Sequence, residues 1–302
     1  MNYKKNLFVL SSLIVLLSCT AHSEKNTDSL LWKISGNGLE ESSYLFGTHH
    51  LAPISFLDSI SGLEEAFENS EQTVGELDLA NMSEMQMKIM GEAMLPQGVT
   101  YESLLPAEDI LLLDSTLTSL MGVGLEQFGA LKPAMLTNLI TITYYNKQYP
   151  SITNETSIDE YIQEKALNSN QSIVGLEETE DQIHVLLNSQ SLERQTELLL
   201  CMVKHPDLLM KQMDELQNAY LSQNIDALYE LSIKDMPNDP CPSTDEERDA
   251  LNKDRNVRWL EKLPAIMAEK PSFIAVGCLH LPGEVGLIEG LRDLGYTVEP
   301  VS

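Results

Sequence analysis

Basic side chains are scarce in this 302-residue chain. Lys and Arg number 19 against 46 Asp and Glu, for a formal net charge of −27. Nucleic acids and anionic membrane surfaces are bound through clustered basic groups, so this balance argues against both as partners. It fits a strongly solvated acidic surface and leaves an attraction for cationic peptides or metal ions open. Cysteine is sparse too. There are four, with no Cys-x-x-Cys, which excludes zinc-ribbon and thioredoxin-like sites by pattern. His-Glu-x-x-His, Gly-x-Ser-x-Gly, a Walker A loop and Gly-x-Gly-x-x-Gly are all absent. Several common hydrolase and nucleotide-binding chemistries therefore drop out in their usual sequence forms. No low-complexity region occurs, and a hydrophobic content of 43% is ordinary for one large globular domain or two small ones.

The N-terminus has the form of an export signal. Lys4 and Lys5 precede an apolar run, Leu7 to Leu17, that is too short to span a bilayer comfortably. Leu16-Leu17-Ser18-Cys19 resembles a bacterial lipobox, in which Cys19 is lipidated and becomes the mature N-terminus. Ala21-His22-Ser23 offers ordinary cleavage instead. Either route places the protein outside the cytoplasm of a bacterium, in the periplasm or on the outer membrane. Residues 1–23 are then the signal and 24–302 one domain, touching membrane only through the lipid anchor. Cys201 and Cys241 can pair in an oxidising compartment, while Cys278 reads as a small buried residue.

What is present is a pattern that occurs twice. Ser43-Tyr-Leu-Phe-Gly47-Thr-His-His50 and Ser272-Phe-Ile-Ala-Val-Gly277-Cys-Leu-His280 are each an apolar run of strand length followed by Gly-x-x-His. A helix-like stretch follows each (Leu57 to Asn69; Gly286 to Leu294), then a second apolar run (Thr73 to Leu79; Tyr296 to Val301). Further strands are expected at 31–34 and 172–176. Helices are expected at 82–94, 107–121, 125–145, 158–167, 178–203, 207–223, 225–233 and 244–268. Strands alternating with helices imply an α/β fold with a mostly parallel sheet. It would be built from two similar β-α-β halves, each bearing a Gly-x-x-His loop, with large helical insertions forming a lobe over the sheet edge. Both histidines would leave the sheet at the carboxyl ends of strands, where open α/β sheets bind ligands.

Two glutamates end strands in the same way. Val74-Gly75-Glu76 and Val174-Gly175-Leu176-Glu177 each place a carboxylate beside a glycine that permits close approach. A His50, Glu76, Glu177 and His280 set suits a divalent ion such as zinc, manganese or cobalt, which would acidify a bound water and polarise a carbonyl. Without metal, the same groups could act as general base and acid. A helix N-terminal role competes for Glu177, and simple exposure or capping for Asp78. The sequence around Glu76 offers it no cation, so an unpaired carboxylate is expected there. His49 points away in an extended loop. Arg255 lies within the last long helix before the second motif and could stabilise an oxyanion or hold a substrate carboxylate. The Met-rich stretch 82–94 reads as core or groove lining.

Leu31-Trp-Lys-Ile, Tyr44-Leu-Phe-Gly-Thr-His-His50, Lys132-Pro133, Gly175-Leu-Glu177 with Gln182, Arg255-Asn256 with Trp259, and Gly277-Cys-Leu-His280-Leu-Pro-Gly together resemble the TraB/GumN family. The resemblance covers nearly the whole mature chain. It implies kinship with the Tiki metalloproteases and, more distantly, with erythromycin esterases and ChaN-like haem-binding lipoproteins. By that resemblance His50 and His280 are metal ligands or catalytic, Glu76 activates water, and Glu177 and Arg255 assist. Two functions follow as expectations. One is an exported, lipid-anchored, metal-dependent hydrolase acting on a peptide or other small extracytoplasmic substrate. The other is a non-catalytic lipoprotein that binds haem, metal or peptide at the same sheet-edge pocket. Kinship at the level of fold does not choose between them.

Overall fold

Six short apolar runs become six strands of one sheet: β1 (Leu31–Ser35), β2 (Ser43–Thr48), β3 (Gln72–Gly75), β4 (Ser172–Gly175), β5 (Ser272–Gly277) and β6 (Thr297–Pro300). The computed structural model describes residues 28–152, 156–233 and 239–301. The expected signal at 1–23, with Cys19, lies outside the described residues. The strand order is β4-β3-β5-β2-β1-β6. The β3–β4, β3–β5 and β2–β5 pairs are parallel, while β1 runs antiparallel to both β2 and β6. β2 and β5 lie at the centre and are buried along almost their whole length. That explains why they read as continuous apolar runs, since a strand covered on both faces has no polar side to alternate with.

The two strand–helix–strand units leave this central pair in opposite directions. The chain passes from β2 through the Leu63–Glu68 helix to β3, and from β5 through the Leu287–Asp293 helix to β6. Right-handed crossovers in opposite directions put their helices on opposite faces, and the packing agrees. Phe67 of the first helix meets Phe273 of β5 edge-on at 5.5 Å. On the other face Arg292 of the second helix lies 5.6 Å over Trp32 of β1. Helix Ile158–Asn168 shares the Phe67 face, with Lys165 4.6 Å over the Phe67 ring. Helix Lys253–Glu269 shares the Arg292 face, where Leu260 lies against Gly290.

Three expected helices break, each for a physical reason, and of the 57–69 stretch only Leu63–Glu68 is α-helical, following a 3-10 turn at Ile54–Ser59. The 125–145 stretch divides into Leu125–Phe128 and Pro133–Gln148. Pro133 cannot continue a helix but starts one well, because the first helical N–H is unbonded in any case. The 178–203 stretch divides into Thr179–Ile183, a π-helical turn His184–Asn188, and Leu192–Lys204, which begins where the Ser191 hydroxyl accepts from the Arg194 N–H. The 244–268 stretch breaks at Asn252, whose side-chain amide donates to the Leu279 carbonyl at 2.6 Å. A long-range contact to the second Gly-x-x-His segment sets that joint. β3 also stops at Gly75 rather than at Leu79.

Away from the sheet, helices Ala107–Met121, Pro133–Gln148 and Leu192–Lys204 enclose a second apolar core around Leu113, Leu117, Leu136, Ile140 and Leu199. Cys201 and Cys241 form a disulfide, with Cα atoms 6.2 Å apart and a sequence separation of 40. The chain-entropy estimate for a loop of that length is about 4 kcal/mol. Cys241→Ser is therefore expected to lower the urea midpoint of the oxidised protein. The variant and the reduced wild type should coincide, and an unchanged midpoint would show that the bridge does not hold the fold.

Candidate active site

The parallel pairing of β2 with β5 places Thr48 opposite Gly277. The two segments that follow therefore leave the sheet side by side at its carboxyl edge. The glycines of the two motifs serve this closeness. A Cβ at Gly47 would lie 3.0 Å from Leu281 Cδ2 and 3.1 Å from Cys278 Cα, within the second motif's own loop. A Cβ at Gly277 would lie 3.2 Å from Glu76 Oε1. In its absence the Gly277 N–H donates to that oxygen at 2.8 Å.

Arg255 is the hub of the site. Its Nη2 donates to Glu76 Oε2 at 2.5 Å and its Nε to Glu177 Oε1 at 2.6 Å. Its Nη1 lies 3.1 Å from His280 Nε2, and its guanidinium stacks 4.7 Å over Trp259. Arg255 and Glu177 are buried. The carboxylate of Glu76 is thus paired, not unpaired as its sequence neighbourhood suggests. The cation comes from a helix 179 residues further along the chain. Gln182 adds a 3.1 Å bond to Glu76 Oε2. Burial alone would raise the Glu76 pKa, but His280, Arg255 and His50 outweigh it and bring the value to about 2. At neutral pH Arg255 and the His50 imidazolium carry the effect, because His280 is uncharged there. Glu177, without as many partners, is pushed upward by burial against the pull of Arg255.

His280 is buried and its tautomer is fixed. Nδ1 sits 2.7 Å from Asn256 Oδ1, while the Asn256 amide nitrogen is committed to the carbonyls of His280 and Val285. Nδ1 therefore carries the proton, and the Nε2 lone pair accepts from Arg255. Burial, aided by Arg255, lowers the His280 pKa to about 4. His280 orients Arg255; it does not line the pocket.

His50 differs in every respect. Its side chain is 62% exposed, and Nδ1 lies 2.5 Å from Asp159 Oδ2. Thr48 Oγ1 donates to the other Asp159 oxygen at 2.7 Å. The Asp159 carboxylate raises the His50 pKa to about 9, so the ring is imidazolium at neutral pH. Nε2 is the ring nitrogen left for a ligand. Stability from this pairing is full below 6.5 and lost as pH rises through about 9. Asp159→Asn is expected to return the His50 titration, followed by NMR, towards 6.5. An unmoved titration would show that another group sets it.

His50, Asp159, Glu76, Gln182 and Arg255 line one pocket of about 280 Å³, with Leu77, Leu79, Val185 and Leu186 as its apolar wall. Glu177 and His280 stand behind it. His49 turns away and packs edge-on to Tyr220 at 5.4 Å, and Asp78 caps the turn Leu79–Asn81. Cys278 is buried and unbridged.

The TraB/PrgY/gumN family model matches residues 30–300. The chain belongs to that family. Comparisons with curated proteins and with solved structures return no match. Within this TraB/PrgY/gumN chain, Asp159 and Thr48 are the site residues that sequence reasoning passes over. Asp159 sits in Ser157-Ile-Asp-Glu160, which reads as a helix start, and Ser157 does cap that helix. Nothing local shows that the same aspartate meets a histidine 109 residues away.

The divalent ion that the resemblance implies would need free donor atoms converging on one point of this site. The Arg255 guanidinium takes Glu76 Oε2, Glu177 Oε1 and His280 Nε2, while Glu177 Oε2 is buried without a hydrogen-bond partner. His50 Nδ1 is committed to Asp159. Among the described residues no group of three or more His, Cys, Asp or Glu is disposed to hold a metal. As placed, these residues do not fit the ion, because a fixed cation already occupies the position between them.

Proposed function

We propose that this TraB/PrgY/gumN protein is an exported hydrolase that cleaves a peptide or related amide bond in the His50–Glu76–Arg255 pocket. The paired Gly-x-x-His loops would form the reacting edge of the sheet, and the helical segments would form the lobe above it. One observation carries the reading. A solvent-accessible imidazolium held by a carboxylate faces the same pocket as a carboxylate held by a buried arginine.

In this reading Glu76 orients the attacking water with the lone pairs that Arg255, Gln182 and Gly277 leave free. A carboxylate of such low basicity takes the proton late, after addition to the carbonyl has made the attacking oxygen acidic. Arg255 stabilises the developing oxyanion. His50 gives its Nε2 proton to the leaving nitrogen as the C–N bond breaks, and the products are a carboxylic acid and an amine. No step is routed through a metal, since the donor set does not fit one. A pocket of about 280 Å³ also supports a small substrate over the haem of the rival binding reading, since it falls just under the 300–1,000 Å³ of drug-sized sites.

Profiling the full chain on a peptide library, with chelator and with added manganese, cobalt or zinc, tests the proposal. The expected result is cleavage that chelator leaves intact. Cleavage lost to chelator and restored by one ion would overturn the metal-free mechanism, and no cleavage of any library member would overturn the hydrolase. Export is tested separately. If Cys19 is lipidated, the wild type fractionates with membranes and Cys19→Ala does not. An unmodified mature N-terminus at Glu24 would remove the anchor.

A further inference from the structure

Beside the reacting pocket lies a second, smaller compartment of about 60 Å³. Its apolar lining comes from Leu77, Ile89, Met135, Ile183, Leu186 and Leu187. The two spaces share Leu77, Gln182 and Leu186 as a common wall. That wall is a single layer of side chains, and Gln182 within it donates to Glu76 Oε2 at 3.1 Å. A group entering the small compartment is therefore one residue away from the carboxylate of the site. We propose that this compartment is a specificity subsite that accepts a short aliphatic side chain of the substrate next to the bond that reacts. The proposal rests on reading the larger pocket as the site of hydrolysis.

Three observations support it. The compartment opens from the smallest of the apolar cores, whose buried members are Ala93, Ile183 and Leu187. Interiors are otherwise close-packed, so an unfilled apolar space beside polar reacting groups is a place for something to enter. The wall is built by the π-helical turn His184–Asn188, which directs Val185 and Leu186 to the larger pocket and Leu186 and Leu187 to the smaller. Turns of this kind recur at functional sites, because the extra residue alters which side chains face the cavity. Size then sets the chemistry. An apolar cavity that takes benzene measures about 150 Å³, so about 60 Å³ suits an aliphatic side chain no larger than valine and rejects an aromatic ring.

The test reads binding directly, independently of turnover. The full chain with ¹³C-methyl methionine is titrated with N-acetyl-valine N-methylamide and with the phenylalanine analogue. Met135 is assigned through Met135→Leu, and Met87, 70% exposed, serves as the control. The valine compound is expected to shift the Met135 methyl and leave Met87 in place. The phenylalanine compound should bind at least about 10-fold more weakly, the usual discrimination for misfit in an apolar pocket. Leu186→Ala, at a half-exposed position that the fold tolerates, should widen the compartment and reduce that ratio; Met135→Ala provides a second widening. Equal affinity for the two compounds, binding that leaves Met135 unmoved, no binding of either, or an unchanged ratio in both widened variants would overturn the subsite. Binding as expected, by a protein that cleaves no peptide, would leave the subsite standing and remove the hydrolytic reading.

Discussion

Arg255→Ala is expected to destabilise the fold by about 3–5 kcal/mol and to abolish activity. The first effect follows from what the guanidinium leaves behind. Glu76 and Glu177 would both remain in a buried site without their shared cation, and breaking a buried pair by removing one partner has about that cost. Urea unfolding measures it. Arg255→Lys is expected to recover only part of the loss. One ammonium cannot span two carboxylates and a histidine nitrogen in the planar geometry that Arg255 uses. A loss below about 1 kcal/mol in the alanine variant would mean that water satisfies the carboxylates and that the network does not hold the site. The pH dependence of the wild type gives an independent check. With a folded-state pKa of about 2 against 4.5 unfolded, the stability contributed by Glu76 is full above 4.5 and lost as pH falls towards 2. Neutral His280 acts in the same direction, its contribution being full above 6.5 and lost by about 4. Stability should therefore decline from pH 6.5 downward, and Glu177, whose pKa is raised, should soften that decline.

Glu76→Gln is expected to lower turnover by at least about 10²-fold, the usual scale for loss of a group that handles the attacking water. The amide keeps the shape and one acceptor oxygen, and Glu177 remains to pair Arg255, so the protein should still fold. Circular dichroism and the thermal midpoint establish that before kinetics are read. His50→Ala should lower turnover as well, through loss of the proton donor. Because the two residues act in one step, the double variant should be little worse than either single. Full activity of Glu76→Gln on a substrate that the wild type cleaves would remove Glu76 from the mechanism. His280→Ala is the informative contrast. Its ring touches Arg255 rather than the pocket, so its loss should remove the stability decline between pH 6.5 and about 4, which Glu76→Gln leaves in place.

The sequence by itself determined the strands, their α/β class and the family. Each is written in local pattern: β2 and β5 as unbroken apolar runs, and Pro133 as a helix start. It also brought His50, Glu76, Glu177, Arg255 and His280 forward as the residues to watch. What it could not supply is their pairing. The Glu76–Arg255 contact spans 179 residues and the His50–Asp159 contact 109, and no spacing in the chain encodes either. Only the tertiary structure decided that two histidines in matching motifs have opposite characters. Asp159 lies beside one at the open rim and makes it a cation, while burial against Arg255 and Asn256 keeps the other neutral. Local sequence fixes which backbone segments form and where they turn, whereas the charge state of a side chain depends on the solvent and partners that folding brings to it.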